Sequence, residues 1–216
     1  MIRTAPLEQA ELAIIGAGCA GLSLARQLVR TEKTSSIKAC LYGPVSPATP
    51  NRHSLGFWAT QGLKEQTELA RQRWHKWQII TAERKVTQTA DSHPYCRLDS
   101  RDWLTHCLNI IDGNIQQEPD SLPTPGAQPV FDSRPPNVPD GAMLQHFKGV
   151  EIKAAQPCFS PDTAILMDFR CDQSRGIHFI YLLPYSPTEA LVESTMLSPK
   201  RQNDEFYAEA IKTYLE

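Results

Sequence analysis

The chain has no long apolar run and no excess of either charge, and its first residues do not predict an export signal. Its longest apolar stretch, residues 177–183, contains His178 and is far shorter than the roughly 20 residues of a membrane-spanning helix. The 22 basic and 24 acidic residues give a net charge of −2, which provides no electrostatic basis for binding nucleic acid. Because the first eleven residues contain no apolar core of a signal peptide, we expect a cytoplasmic protein.

Paired cysteines are also absent. No two of the six cysteines are spaced as CxxC, and no pair of histidines completes a zinc pattern, so we expect no metal site. In a reducing compartment the thiols are expected to be free. The six are Cys19, Cys40, Cys96, Cys107, Cys158 and Cys171.

The start of the chain has the pattern of a βαβ unit. Residues 11–15 predict a buried strand, residues 22–29 a helix and residues 36–42 a second strand, which together have the expected length. Residues 43–51 are rich in proline, serine and threonine and predict a loop. Residues 63–80 predict a helix, whose apolar positions include Leu63, Leu69, Trp74 and Trp77.

The rest of the chain changes to mainly strand character. Asp99 or Ser100 can cap a helix that reaches residue 109, residues 112–129 predict a loop, and residues 129–132 predict a strand that returns to the first sheet. Four further strands are predicted at residues 144–154, 164–171, 177–186 and 190–197, followed by a helix from residue 206. This order predicts a mostly antiparallel sheet beside the βαβ unit.

The turn after the first strand matches GxGxxG between a strand and a helix, the context that gives the pattern its meaning. Gly16 permits the tight turn, Gly18 lets the backbone approach a pyrophosphate, and Gly21 lets the helix pack against the strand. The alternative is a glycine turn without a ligand. We predict that the turn binds FAD or NAD(P) through Gly16, Ala17, Gly18, Cys19, Ala20 and Gly21.

The acid that usually binds the cofactor ribose is missing. It is expected about 20 residues after the turn, at the end of the second strand. The corresponding position is Gly43. Ribose recognition must therefore be weaker, mediated by water or supplied by another residue.

Three later segments together resemble the lycopene cyclase family, flavoproteins that close β-ionone rings on linear carotenoids. The first is Val130-Phe-Asp-Ser-Arg-Pro-Pro136, and the second is Leu144-Gln-His-Phe-Lys-Gly149. The third comprises residues 166–170, 179–187 and 191–195. Residues 51–58 and 95–104 fit more weakly, so the resemblance covers nearly the whole chain.

The resemblance implies an α/β fold like that of the aromatic hydroxylases, with a Rossmann-like FAD-binding domain and an antiparallel substrate-domain sheet. We expect the FAD-binding domain at residues 1–50 and 95–140, and the substrate or cap region at residues 51–94 and 141–216. Family members continue beyond residue 216, so we expect this fold to be incomplete. The resemblance also implies that FAD acts in its reduced form, with NAD(P)H as a candidate reductant.

The family's acidic motif reads Leu191-Val-Glu-Ser-Thr195 here, and Glu193 holds the position of its key acid. The resemblance implies that Glu193 donates the proton that starts cyclisation. Ser194 replaces a second acid, which leaves that acid's role open. On a strand Leu191, Glu193 and Thr195 share one face, and a carboxyl in an apolar cavity stays protonated more readily. The alternative is a solvated glutamate on an exposed face.

Other candidate site residues each have a structural alternative. Arg101, by analogy with related flavoproteins, and Asp132 are predicted to contact the cofactor; a surface arginine and an ion pair with Arg134 are the alternatives. Asp168 is a second candidate carboxylate, unless it pairs with Arg170. Four aromatic residues could support a cation or simply line the core: Phe57, Trp58, Tyr181 and Tyr185.

The implied substrate is lycopene, a hydrocarbon dissolved in membranes, so we expect peripheral membrane contact. Residues 69–80 mix tryptophan and isoleucine with basic residues, which suits an interfacial helix as well as an ordinary amphipathic one. Two other functions stay open. One is an FAD-dependent monooxygenase or reductase, and the other is a truncated protein without catalytic activity.

Overall fold

The computed structural model describes residues 10–31, 36–44, 53–126 and 128–216. The predicted loop at residues 43–51 lies outside the described residues from position 45 onward. The chain divides into two compact units, Met1–Leu55 with Leu98–Asn137 and Gly56–Arg97 with Val138–Glu216. In the described part of the chain no helix is long and apolar enough to cross a membrane, and no cluster of His, Cys, Asp or Glu is suited to a metal ion.

The first unit contains a four-stranded parallel sheet in the order β8-β2-β1-β9. Strand β1 (Leu12–Ile15) is fully apolar and buried, as expected of a strand covered on both faces. Helix α1 (Cys19–Arg30) follows β1 and leads to β2 (Ala39–Tyr42). The two edge strands of the sheet are β8 (Gln116–Glu118) and β9 (Val130–Asp132). The unit also contains helix α3 (Ser100–Ile111).

Local sequence signals account for most of this unit. Asp99 caps α3 by accepting a hydrogen bond from the backbone N–H of Arg101 at 3.0 Å, as predicted. The returning strand β9 pairs in parallel with β1, which confirms that prediction. The sequence does not predict strand β8, because its residues Gln-Gln-Glu are all polar and show no alternation of apolar and polar side chains.

The second unit is built on a six-stranded sheet in the order β10-β13-β12-β11-β5-β6. The four predicted strands of the last third are present as β10 (Leu144–Lys153), β11 (Thr163–Asp168), β12 (Ile177–Pro184) and β13 (Glu189–Ser198). Strands β10, β13, β12 and β11 pair antiparallel, while β11 pairs in parallel with β5 (Lys76–Ile80). The sheet ends at β6 (Lys85–Thr89).

The long helix predicted at residues 63–80 is wrong. A single 3-10 turn (Gln61–Leu63) and the short α2 (Lys64–Glu68) are followed by β4 (Gln72–Trp74) and β5. The side chains of Trp77 and Ile79 alternate with those of Gln78 and Ile80, and β5 is held by pairing to β11 and β6. The proposed interfacial helix at residues 69–80 is therefore wrong as well.

A short sheet in the order β3-β7-β4 completes the structure. Strands β3 (Ser54–Trp58) and β7 (Tyr95–Asp99) were not predicted. The boundaries between the two units fall inside these two strands.

Helix α4 (Asp204–Leu215) covers one face of the six-stranded sheet. Asn203 caps the helix by accepting a hydrogen bond from the N–H of Phe206 at 3.1 Å. Beneath the helix, Ile211 packs against an apolar layer formed by Ile180, Leu182, Ala190 and Val192. The opposite face of the sheet carries Tyr181, Leu191 and Glu193.

Candidate functional site

The glycine turn is held by close backbone packing. A Cβ on Gly21 would overlap the carbonyl oxygen of Gly16, and a Cβ on Gly16 would collide with the hydroxyl of Ser133. Ser133 lies just after β9 and donates a hydrogen bond to the carbonyl of Ile15 at 2.8 Å. The sequence does not predict this supporting role of Ser133, because the contact depends on the parallel pairing of β9 with β1.

Gly18 differs from its two partners because a Cβ there would meet nothing within 4 Å. It is the N-cap of α1, and no side chain caps the helix. Gly18, Cys19 and Ala20 are exposed, so backbone N–H groups at the positive end of the helix dipole are accessible to a ligand. An open approach without a competing cap fits a dinucleotide pyrophosphate.

Gly43 explains why no acid ends the second strand. Its φ is +116°, a conformation that residues with a side chain rarely adopt. Its N–H also donates to the carbonyl of Glu118 at 3.1 Å, which fixes this backbone. A ribose-binding carboxylate at position 43 would therefore require a different path of the chain.

Asp132 and Arg134 form the ion pair named as the alternative to cofactor contact. The Arg134 guanidinium binds both carboxylate oxygens, with its Nε 2.9 and 3.1 Å from them and its Nη2 2.6 Å from Oδ2. These hydrogen bonds lower the pKa of Asp132 to about 2. Arg101 is exposed on the first turn of α3. Contact of either Asp132 or Arg101 with a cofactor stays a prediction.

Glu193 lies on β13, on the face of the six-stranded sheet away from α4. The register places it between Gly149 of β10 and Tyr181 of β12. Burial raises the pKa of the Glu193 carboxyl, while a hydrogen bond from the Thr195 hydroxyl at 2.7 Å opposes that rise. The carboxyl is half-buried and therefore favours its neutral, proton-carrying form more than a solvated glutamate does.

Aromatic rings extend from Glu193 across this face. The Tyr181 hydroxyl donates to the Tyr95 hydroxyl at 2.6 Å. The ring of Trp58 packs edge-on against Tyr95 at 5.0 Å and against Trp77 at 5.6 Å between centroids. We call Trp58, Trp77, Tyr95 and Tyr181 the aromatic cluster.

Of the four predicted aromatic residues, the structure brings Trp58 and Tyr181 to the same cluster. Tyr185 instead lies under the Arg97 guanidinium, at 4.4 Å from ring centroid to Cζ, and Phe57 is half-buried outside the cluster. Tyr95 and Trp77 were not named as site residues. The sequence predicts Trp77 within the helix of residues 63–80, and Tyr95 lies on a strand that has no alternating apolar pattern.

Ser194, at the position of the missing second acid, faces away from Glu193. Its buried side chain lies on the α4 side, where its hydroxyl is 2.8 Å from Nε2 of His178. Burial lowers the pKa of His178. A carboxylate at position 194 would therefore meet a histidine under α4 rather than the Glu193 carboxyl.

Asp168 is the buried ion-pair partner of Arg170. Its oxygens accept hydrogen bonds from the Arg170 side chain at 2.9 and 2.7 Å and from the Tyr214 hydroxyl at 3.3 Å. Burial opposes ionisation of Asp168, but the hydrogen bonds and charge of Arg170, together with the hydrogen bond from Tyr214, outweigh it and lower the pKa. The fixed, ionised carboxylate is poorly suited to donate a proton.

A cleft of about 910 Å³ lies beside the end of α4. It is lined from the α4 side of the sheet by residues that include Ile152, Leu182 and Tyr214. Neither Glu193 nor any member of the aromatic cluster lines it. Glu193 and the aromatic cluster lie on the opposite face of the sheet from this cleft.

Comparison with known proteins adds a decisive observation. The family model described as lycopene cyclase protein matches residues 11–111 and 122–216. The chain belongs to the lycopene cyclase family. A lycopene beta-cyclase of Paracoccus sp. (strain N81106 / MBIC 01143) is 46% identical over 55 residues, which are 26% of this chain and 14% of that protein.

Solved structures share the fold at low sequence identity. A geranylgeranyl bacteriochlorophyll reductase-like protein from Thermoplasma acidophilum has a TM-score of 0.65 at 10% identity, covering 94% of this chain and 60% of its own. The flavin-dependent brominase Bmp2 has a TM-score of 0.56 at 11% identity, covering 95% and 60%. These two neighbours confirm the predicted α/β flavoprotein fold. This chain spans about three fifths of the length of each of them.

Proposed function

We propose that the protein is a lycopene β-cyclase-like isomerase that forms β-ionone rings on linear carotenes by acid-initiated, flavin-assisted cyclisation. The observation that carries this proposal is Glu193. By the sequence resemblance it corresponds to the family's key acid. Its pKa is raised by burial, and it faces the aromatic cluster. Family membership supports a carotenoid substrate, and lycopene is the substrate that we propose.

The proposed reaction needs one proton donor and no net transfer of electrons. The Glu193 carboxyl donates its proton to the terminal double bond of an end group, which forms a C–H bond and a carbocation. The neighbouring double bond attacks this cation and forms the C–C bond that closes the ring. The carboxylate of Glu193, formed in the first step, or water takes up a proton from the carbon next to the cation, which breaks that C–H bond and restores a double bond, so the product is an isomer of the substrate.

The aromatic cluster suits a short-lived cation. The faces of tyrosine and tryptophan rings are negative and attract positive charge, while their apolar surface excludes the water that would trap a carbocation. Tyr181 lies directly beside Glu193 in the register, and Tyr95 accepts its hydrogen bond. These side chains would orient an end group against the carboxyl.

The glycine turn is the proposed FAD site. The Gly18 backbone and the uncapped start of α1 would hold the pyrophosphate, for which the structure leaves space. Reduced FAD, when bound, would supply negative charge that stabilises a cation. NAD(P)H is the proposed source of reducing equivalents, and we assign no residue of this chain to it.

The decisive test is anaerobic incubation of the protein with lycopene in liposomes and chemically reduced FAD. We expect ring-containing carotene with the native chain and its loss, by about 100-fold or more, in Glu193→Gln. Glu189→Gln is the matched control, since Glu189 lies on the same strand and only forms a surface ion pair with Lys153 at 3.1 Å. Equal activity of the two variants would contradict the role of Glu193.

The second candidate is a flavin-dependent oxidoreductase, which the fold shared with a flavin-dependent brominase favours. Such an enzyme consumes NAD(P)H in proportion to product, whereas a cyclase only has to keep its flavin reduced. Bound flavin with stoichiometric NAD(P)H oxidation and no ring formation would support this candidate. A folded chain with neither flavin nor product would support the third hypothesis, a protein without catalytic activity on its own.

Cytoplasmic location with peripheral membrane contact stays part of the proposal, because the proposed substrate is dissolved in the bilayer. Several large apolar side chains are exposed in the second unit, among them Met143, Phe147 and Ile177. Flotation of the protein with lycopene-containing liposomes tests this contact.

A further inference from the structure

Gly149 is a glycine in the middle of a ten-residue strand, where glycine is unfavourable. A glycine inside a strand usually marks a bulge, a special backbone conformation or the close approach of another group. The β10–β13 register is continuous on both sides of Gly149, and its φ is not in the left-handed region. The first two explanations therefore do not apply.

Packing within the chain does not require this glycine either. A Cβ at position 149 would lie 3.4 Å from Oε2 of Glu193 and 3.4 Å from Cδ1 of Leu191, which are ordinary contact distances. Gly56 shows the contrast, since a Cβ there would overlap the Tyr95 hydroxyl. Gly149 is also exposed, so alanine would fit the protein alone.

What Gly149 leaves is a side-chain gap directly beside the Glu193 carboxyl. Across the strands the row runs from this gap to Glu193 and then to Tyr181, whose hydroxyl meets Tyr95. On β10 the next side chain on the same face is Phe147, which is 57% exposed. The gap is thus bordered by the exposed Phe147 ring on one side and by the Glu193 carboxyl on the other.

We infer that Gly149 is a specificity-determining position, at which the missing side chain admits the bulky end group of a linear polyene hydrocarbon to Glu193. This inference rests on the proposed cyclase function and names the residue that shapes access to its acid. An end group that reaches the carboxyl at this point needs apolar walls and no competing side chain. Phe147, the gap and the aromatic cluster provide them.

The test measures binding separately from turnover. Lycopene in detergent micelles is titrated into the protein while quenching of tryptophan fluorescence is recorded, since Trp58 and Trp77 belong to the cluster. We expect Gly149→Val to weaken binding by about tenfold or more and Gly149→Ala to weaken it less, because one added methylene already alters an apolar site measurably. The same order is expected for the loss of cyclisation.

Gln145→Val is the matched control, since Gln145 is exposed on the same strand and face, four residues from Gly149. It should leave binding within about twofold of the native chain. Circular dichroism and thermal unfolding confirm that each variant folds. In Gly149→Val, the further change Leu191→Ala should restore binding in part, because it removes the carbon atom closest to the new side chain.

Each outcome is decisive for one of the two proposals. Weaker binding in the Gly149 series supports the inference, even where the native chain fails to cyclise and the proposed function is thereby overturned. Native-like binding by Gly149→Val overturns the inference and leaves the function to the Glu193→Gln test. A native chain that does not bind lycopene overturns both.

Discussion

The Glu193 carboxyl is subject to two opposing influences from its own strand and its surroundings. Burial disfavours the carboxylate and raises the pKa, whereas the hydrogen bond from Thr195 favours the carboxylate and lowers it. Burial prevails, so the neutral acid persists to a higher pH than in a solvated glutamate. A proton donor requires this neutral form, and the rate should therefore fall as the pH rises through the raised pKa.

Thr195→Val is expected to shift that decline to a higher pH. The variant keeps the shape of the side chain but removes the hydrogen bond that favours the ionised carboxyl, so the pKa of Glu193 rises further. Stability should decrease by about 1 kcal/mol because a buried hydrogen bond is lost. The measurement is the pH dependence of cyclisation, with Thr87→Val on the exposed strand β6 as the control. If the pH at which the cyclisation rate declines is unchanged or shifts to a lower value, Thr195 does not lower the pKa of Glu193.

At this scale the sequence predicted Glu193 as a candidate acid, a role that stays a prediction, and named two of the four rings of the aromatic cluster. Glu193 was identified from five consecutive residues, a local signal. Tyr95 lies 86 positions from Tyr181, to which it is hydrogen-bonded, and nothing local to either residue predicts that pair. The ion pairs of Asp132 and Asp168 are local, because each carboxylate pairs with an arginine two positions away, and both pairs were named as alternatives from the sequence.

At the scale of elements, strand β13 separates two environments by simple alternation. Glu193 and Thr195 face the aromatic cluster side, while Val192 and Ser194 face α4. Adjacent residues of the acidic motif therefore belong to different faces of one sheet. A second acid next to Glu193 in sequence would not be next to it in space.

Restoring an acid with Ser194→Asp is expected to change His178 rather than the chemistry of Glu193. The new carboxylate would lie beside Nε2 of His178, favour the imidazolium and raise the pKa that burial now lowers. NMR titration of the His178 ring measures this, and Ser194→Asn is the uncharged control of similar size. A shift in the pH dependence of cyclisation with an unchanged pKa of His178 would contradict the assignment of Glu193 and Ser194 to opposite faces of the sheet.

The helix predicted at residues 63–80 is wrong for a reason that also operates at the scale of elements. Short apolar stretches fit a helix and a strand equally well, and only a partner decides between them. Strand β5 pairs with two strands: β11, which lies more than 80 positions later in the chain, and the exposed, mostly polar β6, whose sequence gives little apolar signal. By contrast, the βαβ unit was predicted correctly because its turn, helix and strands are consecutive.

Helix α1 offers a test that separates folding from cofactor binding. In Gly18→Ala the new methyl group meets nothing in the protein, but it occupies the space that a pyrophosphate needs. We expect a melting temperature within a few degrees of the native value, since alanine is a poorer N-cap than glycine, and an affinity for FAD reduced by about tenfold or more. In Gly21→Ala the methyl group overlaps the Gly16 carbonyl, so we expect a loss of about 2–4 kcal/mol of stability. Calorimetry and flavin fluorescence measure both, and unaltered FAD binding by folded Gly18→Ala would reject this turn as the site.

At the scale of the whole molecule, the chain forms two units, and each contains a part of the proposed chemistry. The glycine turn belongs to the unit of Met1–Leu55 and Leu98–Asn137, and Glu193 belongs to the other. Each unit is assembled from two separate segments, so a division by sequence alone has to locate three boundaries at once. Two of them fall inside β3 and β7, strands whose sequences gave no signal of their own.

This division predicts where FAD will stabilise the protein. A ligand that binds only the folded state adds about 2.7 kcal/mol at 100 times its dissociation constant, and the gain appears in the segments that must unfold to release it. Hydrogen exchange should therefore slow mainly in β1, β2 and α1 when FAD is added, and much less in β10–β13. Gly18→Ala should abolish the slowing, because it removes binding without disturbing the fold. Equal protection of both units would contradict this prediction, because FAD bound at the glycine turn of the first unit should protect that unit more than the other.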